Sequence, residues 1–276
     1  MQLSDPILIA YFLVIAAVLG LVMGSFINCW AWRSTHGESV LAGRSHCATC
    51  GHELGVRDLV PVFSWLASGR QCRYCGENVS ARYPLTEVVC AVAFVAIVAA
   101  YGLTLETAEL LVFAGVLLFL SLTDLDERII PNACIVVALV VRAVYLAVAF
   151  ALGWLEAGQV LFYIGSAFGV GVALLVIVLI ADRVFGRESM GGGDLKLYFV
   201  AGFYFGWQQC LFLVILSCVI GIIGAIASSK PTADSAGEGE GVMRRAIPFG
   251  PSIAAACVIT MLVGAPFVSW YLGLLS

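Results

Sequence analysis

The sequence predicts an all-α polytopic membrane protein with about eight transmembrane helices and a cytoplasmic four-cysteine metal-binding loop. Three observations carry that prediction. The 276 residues are 62% hydrophobic and only 12% charged, with mean hydropathy +1.03, well beyond a soluble domain. Apolar runs recur at close to the roughly 20 residues needed to cross hydrocarbon. Basic residues other than Arg142 all fall on one side of the resulting topology.

The first span, 7–29, is apolar throughout and runs into Gly24-Ser25-Phe26-Ile27-Asn28. It lacks the basic start and the cleavage site of a signal peptide, and is too long for one, so it reads as a retained helix. Residues 33–85 then form the only sizeable polar insertion, rich in Gly, Arg, Ser, His and Cys. Spans 86–102 and 108–123 follow, the second ending at Asp124. Span 133–152 starts after Pro131, which is tolerated in a first turn because its missing N–H has no partner there. Span 158–181 is uninterrupted. Span 195–207 is short and contains Gly202 and Gly206, so it is tilted, re-entrant or extended by the glycines before it. Spans 209–228 and 248–274 are separated by a polar segment, 229–246, that reads as a flexible cytoplasmic loop. The whole is one membrane domain, 1–276, with the insertion at 33–85 and a second part, 124–276, that contains both candidate catalytic aspartates.

With the amino terminus outside, the cytoplasmic side receives Arg33, Arg44, Arg57, Arg70, Arg73, Arg82, Arg128, Arg183, Arg187, Lys196, Lys230, Arg244 and Arg245. The external segments receive none, as the positive-inside rule requires. Removing or adding one span would scatter these charges over both faces. Arg142 alone lies deep within a span and has no partner that the sequence identifies.

The insertion contains Cys47-Ala48-Thr49-Cys50 and Cys72-Arg73-Tyr74-Cys75, each followed by glycine, Gly51 and Gly76. Two residues between thiols let one tight turn aim both sulfurs at one ion. Two such turns complete a closed tetrahedral shell, structural zinc being the usual occupant. Disulfides are the alternative, disfavoured by a reducing cytoplasm. His46 and His52 flank the first pair and could replace a ligand. The other six cysteines lie in apolar stretches and read as packing residues.

Asp124 terminates the run Leu117-Leu118-Phe119-Leu120-Ser121-Leu122-Thr123, whereas Asp194 follows Gly191-Gly192-Gly193. A carboxylate at the hydrocarbon edge is costly and functional by default. Two close carboxyls that share one proton can activate water, the chemistry of an aspartic protease. Asp126 rivals Asp124, and an ordinary solvated loop accounts for Asp126 and Glu127. Asp194 also reads as a helix-start acid favoured by the dipole, although the glycines would let an extended substrate approach closely. Glu87 reads mainly as another helix-start acid.

At these residues the chain resembles the bacterial prepilin peptidases, the type IV leader peptidase and N-methyltransferase family. The ordered set covers most of the chain: Gly24 to Asn28 with Arg33, the two cysteine pairs, Arg82-Tyr83-Pro84 with Glu87, Asp124 with Ile130-Pro131-Asn132, Gly191 to Asp194, and Ile247-Pro248-Phe249-Gly250-Pro251. The resemblance implies that Asp124 and Asp194 are the catalytic pair. The family's spacing to Pro131 selects Asp124 over Asp126. It further implies removal of the leader of type IV prepilins or type II secretion pseudopilins in the bacterial inner membrane, with the active site facing the cytoplasm. The new amino terminus is then N-methylated from S-adenosylmethionine. No cofactor-binding motif is visible, so the residues that bind the methyl donor are not identified. Ala48 and Ser189 depart from frequent proline and glycine. Partners are the prepilin or pseudopilin and the lipid bilayer, with no nucleic acid. Two other classes use similar acids: a presenilin-like intramembrane aspartic protease and a cation transporter. Neither accounts for the cysteine loop.

Overall fold

Arrangement starts from where each helix can begin and end. The structure, a computed structural model, describes residues 5–39, 43–228 and 248–274. The polar segment 229–246, with Lys230, Arg244 and Arg245, and Ile247 lie outside these residues. Among the described residues the fold is all-α, with seven helices long and apolar enough to cross a membrane. The chain divides into two compact units, 1–127 and 128–276.

In the first unit, α1 (Pro6–Thr35) starts where Asp5 accepts the Ile7 N–H at 2.9 Å, with Pro6 in the first turn. A 3₁₀ turn (Val56–Asp58) and the short α2 (Phe63–Ala67) belong to the insertion, and α3 (Arg82–Tyr101) and α4 (Leu105–Glu127) follow. The helices α1 and α3 run antiparallel at very short range. A Cβ on Gly20 would lie 2.5 Å from the Ala91 Cα, and one on Gly24 would lie 2.8 Å from the Glu87 Cα. Small residues four apart allow this approach, as expected where packing rather than water expulsion drives helix association. Ile27 and Ala31 of α1 bury Leu122 of α4 on the other side, with Met23, Leu118 and Phe119 completing the cluster.

The second unit holds α5 (Asn132–Ala151), α6 (Ala157–Phe185), α7 (Gly192–Ser228) and α8 (Gly250–Gly273). The expected sixth and seventh spans are the two arms of α7, which is broken at Gly206 (φ 75°, ψ 166°). The break is a reversal. Tyr198 and Ser217 share a hydrogen bond of 2.6 Å although 19 residues separate them. A straight helix would hold them about 28 Å apart at 1.5 Å per residue. The neighbours agree: Gly202 and Gly206 of the first arm meet Ala167 and Phe162 of α6, whereas Gly221 and Gln209 of the second meet Phe249 and Gly264 at α8. The eight apolar segments are therefore present, among the described residues, in seven named helices. The first arm spans only about 21 Å, short of a roughly 30 Å hydrocarbon core.

Arg142, whose partner the sequence does not identify, is buried in α5 at this reversal. Its guanidinium donates to the Phe203 carbonyl at 3.0 Å and the Tyr204 carbonyl at 3.1 Å. These are end-of-helix carbonyls that the break leaves without helical donors. Its Cζ also stands 4.6 to 5.2 Å from the ring centroids of Tyr163, Tyr204 and Tyr145. Arg142 caps the first arm inside the membrane, where an unsatisfied carbonyl is expensive. Replacing it with alanine should lower unfolding stability by about 2–3 kcal/mol, the worth of charged hydrogen bonds plus their orphaned acceptors. Equilibrium unfolding in mixed micelles measures this. Stability within 0.5 kcal/mol of wild type, an order-of-magnitude limit for neutral substitutions, would contradict the capping role.

Candidate functional site

Asp124 sits in the last turn of α4 and is 6% exposed. Asp126, its rival in the sequence, is engaged elsewhere: Arg82 at the start of α3 donates to both its oxygens, at 2.5 and 2.8 Å. That fork joins two helix ends of the first unit. Its partner is 44 residues away in sequence, which is why hydropathy alone left the two acids unresolved.

Asp194 lies half-buried in the first turn of α7. The glycines before it have separate duties. A Cβ on Gly191 would stand 3.3 Å from Asp194 Oδ2, so that glycine leaves room for the carboxylate. One on Gly193 would press Ile130 at 3.0 Å, so this glycine admits the residue before Pro131. Nothing stands within 4 Å of the position at Gly192, which is exposed. Asn132 at the start of α5 accepts the Lys196 ammonium at 2.8 Å, joining the Ile130-Pro131-Asn132 segment to the helix that bears Asp194. Ser189 also has a purpose: its N–H and hydroxyl both donate to Asp182 at 2.6 Å, fixing the end of α6 before the glycine run. Asp124 and Asp194 belong to different units.

The four cysteines converge. Their sulfurs all lie within 4.8 Å of one another, and Cys47 and Cys75 are 4.0 Å apart. Ligands 2.3 Å from a tetrahedral zinc stand about 3.8 Å apart, so the set matches a metal shell. The two turns repeat one design at an offset of 25 residues. Cys47 N–H donates to His52 and Gly51 N–H to Cys47; Cys72 N–H donates to Glu77 and Gly76 N–H to Cys72, all between 2.8 and 3.0 Å. Gly51 (φ 70°) and Gly76 (φ 75°) supply the left-handed residue each turn requires. The repeated Cys-x-x-Cys-Gly was the available signal for this duplication.

The thiols are polarised unequally. The backbone N–H groups of Cys50 and then Thr49 bring the Cys47 thiol down to about 6. The Glu77 N–H pulls on Cys75, but desolvation and the neighbouring cysteine sulfurs together push it up to about 12. Four thiolates this close repel unless a cation sits among them. Neither histidine joins the set. His52 stacks on Tyr74 at 3.6 Å, and His46 faces Glu38 at 3.7 Å and the edge of Trp32. Cys90, Cys134, Cys210 and Cys257 are buried packing residues, whereas Cys218 is exposed on α7 and the half-buried Cys29 of α1 faces the Ser45 hydroxyl of the insertion at 3.9 Å.

The remaining motif, Gly24 to Asn28, joins α1 to α3 through polar groups. Asn28 donates to Thr86 and, at 3.5 Å, to the Tyr83 carbonyl. Glu87 is therefore more than a helix-start acid. It is 6% exposed and accepts the Val62 N–H of the insertion at 2.7 Å. Arg33, also buried, donates to the Ser39 carbonyl at 3.1 Å and the Arg44 carbonyl at 2.9 Å, holding the other end of the insertion.

Comparison with known proteins places the chain in a family. Residues 18–101 match the Bacterial Peptidase A24 N-terminal domain, and residues 111–226 match the Type IV leader peptidase family. With its apolar helices, this defines a multi-pass inner-membrane peptidase. The chain is similar to the prepilin leader peptidase/N-methyltransferase of Pseudomonas putida, at 32% identity over 92% of each chain. It is similar to the protein of that name from Bacillus subtilis, at 30% identity over 92% of this chain and 96% of the relative. A Myxococcus xanthus relative is 33% identical over 79% of this chain and 65% of its own. The chain belongs to the prepilin leader peptidase/N-methyltransferase family. No solved structure matches it.

Proposed function

We propose that the chain is an aspartic endopeptidase that removes the leader of type IV prepilins or type II secretion pseudopilins at the cytoplasmic membrane face, and then N-methylates the new amino terminus. The observation that carries the peptidase reading is the contrast at the end of α4: Asp126 is held by Arg82, whereas Asp124 is buried at the membrane edge. The names of the relatives support both reactions and the prepilin substrate. The positive-inside pattern supports the cytoplasmic face.

In this mechanism Asp124 and Asp194 act on one water. One carboxylate starts ionised and takes a proton from the water as it attacks the scissile carbonyl. The other starts protonated and donates a hydrogen bond to the carbonyl oxygen, with roles exchanging as the tetrahedral species collapses. The pair titrates as one system, so the two starting states belong to the dyad. Open space at Gly192 supports the approach of an extended backbone beside Asp194. A basic leader would remain at the cytoplasmic face while the apolar helix of the substrate lies in the bilayer.

Cys47, Cys50, Cys72 and Cys75 would hold a structural zinc, which, when bound, neutralises the crowded thiolates and ties the two turns together. S-adenosylmethionine, when bound, supplies a methyl group to the new amine, leaving as the neutral thioether with release of one proton.

Asp124→Asn and Asp194→Asn should each reduce leader removal by about 10³-fold or more, while each protein still inserts. Asp126→Asn should retain substantial cleavage, because a partly exposed ion pair is worth only about 1 kcal/mol or less. Quantitative mass spectrometry of a prepilin substrate in membranes reads all three. An inactive Asp126→Asn beside an active Asp124→Asn would move the catalytic acid by two residues and overturn the assignment.

Metal analysis of intact, reduced protein should find about one zinc per chain. Serine at any of the four cysteines should lower metal content and expose the insertion to protease, since binding and folding are coupled here. Absence of bound metal in the intact reduced protein would refute the zinc centre.

A further inference from the structure

The insertion and the adjoining ends of α1 and α3 bound a cavity of about 550 Å³, wholly within the first unit. Leader cleavage by the two aspartates makes no use of it. Its volume lies in the usual range for a small-molecule site, roughly 300 to 1,000 Å³. Three properties of its wall indicate a built site.

The first is a buried carboxylate. Glu87 lines the cavity, and the group that holds it, the Val62 N–H, is a neutral donor; among the described residues no ion pair to it is formed. The second is strain beside it. Val62 has φ 61° and ψ −51°, and the Phe63 N–H reaches the Pro61 carbonyl at 2.6 Å. This is the rare positive-φ γ-turn, unfavourable for a β-branched residue, and its central N–H is the group that Glu87 accepts. Such strain persists where the surroundings over-determine it, as binding sites do. The third is a set of ordered aromatic side chains. Trp32, Trp65 and Tyr74 line the cavity. Trp32 stacks on His36 at 4.2 Å, Tyr74 on His52 at 3.6 Å, and the Arg70 guanidinium lies 5.0 Å from the Trp65 ring.

The lining carries Glu87, Asp58 and Glu77 against Arg33 and Arg73. Arg73 is paired with Asp58 at 3.3 Å and Arg33 with Glu38 at 3.9 Å. An aromatic pocket with a buried carboxylate suits a ligand that combines a flat ring with a positive charge. We propose that this cavity is the S-adenosylmethionine site, with Trp32, Trp65 and Tyr74 facing the adenosyl group and Glu87 facing the sulfonium. The inference rests on the methyl-transfer reading above and assigns that reaction its place. It also gives the cysteine centre a second duty, because Cys47 and Cys72 form part of the cavity wall. Loss of metal would disorder that wall.

The test uses full-length, metal-loaded protein in nanodiscs. Calorimetry measures binding of S-adenosylmethionine and of S-adenosylhomocysteine, which lacks the sulfonium charge. Ultraviolet cross-linking with methyl-tritiated S-adenosylmethionine, followed by peptide mapping, locates the donor. Glu87→Gln retains an oxygen for the Val62 N–H, so it removes charge with little change of shape. It should weaken S-adenosylmethionine at least tenfold and S-adenosylhomocysteine less than threefold. Trp32→Leu should weaken both ligands, and the label should fall within 25–87. Label confined to the second unit, or both Glu87→Gln affinities equal to wild type, would overturn the site while methylation by the wild-type protein kept the broader reading intact. A wild-type protein that neither binds the donor nor yields methylated product would overturn the methyl-transfer reading, and this assignment with it.

Discussion

A membrane helix that stops short must still satisfy its last carbonyls, and the second unit is organised around that requirement. The break at Gly206 frees carbonyls in a medium without water, and the buried Arg142 guanidinium takes those of Phe203 and Tyr204. Tyr204 in turn donates to the Ala138 carbonyl at 2.9 Å, tying the arm to α5 a second time. With its end capped, the first arm can reverse into the second, and the Tyr198–Ser217 bond closes the hairpin. The reversal returns the chain to the end of the unit where Asp194, Asn132 and the start of α8 lie. A continuous helix through Gly206 would carry residue 228 to the opposite end.

In the first unit the governing feature is backbone proximity along α1 and α3. Gly20 and Gly24 admit Ala91 and Glu87, and Asn28, one turn further on, closes the seam on Thr86. The insertion is then anchored twice: by Arg33 on carbonyls at its beginning, and by Glu87 on Val62 near its end. A loop held at both ends can build a metal centre and a cavity on a membrane surface. The Arg82–Asp126 pair extends the same anchoring to α4, next to Asp124.

Features set by short-range spacing were legible in the sequence. The eight crossings followed from hydropathy and from one-sided basic residues, and the cysteine turns followed from two Cys-x-x-Cys-Gly stretches. Gly202 and Gly206 marked the sixth span as irregular without showing that the chain reverses there. Features that depend on distant backbone were not legible. Arg142 looks unpartnered because its acceptors are carbonyls about 60 residues away, exposed only by the break. Glu87 resembled a helix-start acid because its donor is the backbone of Val62, whose conformation no residue type announces. The cavity draws on several separated stretches of chain, so no motif encodes it.

The proposed peptidase mechanism requires that Asp124 and Asp194, which lie in separate units, work as one dyad. Non-additivity tests it directly. Leader-cleavage rates are compared for wild type, each Asn variant and the double variant, with mass spectrometry sensitive enough to read residual turnover. Groups that act as one unit lose their function together, so the double variant should fall within a few-fold of either single variant. Losses that multiply in the double variant would show two independent contributions and contradict the shared site.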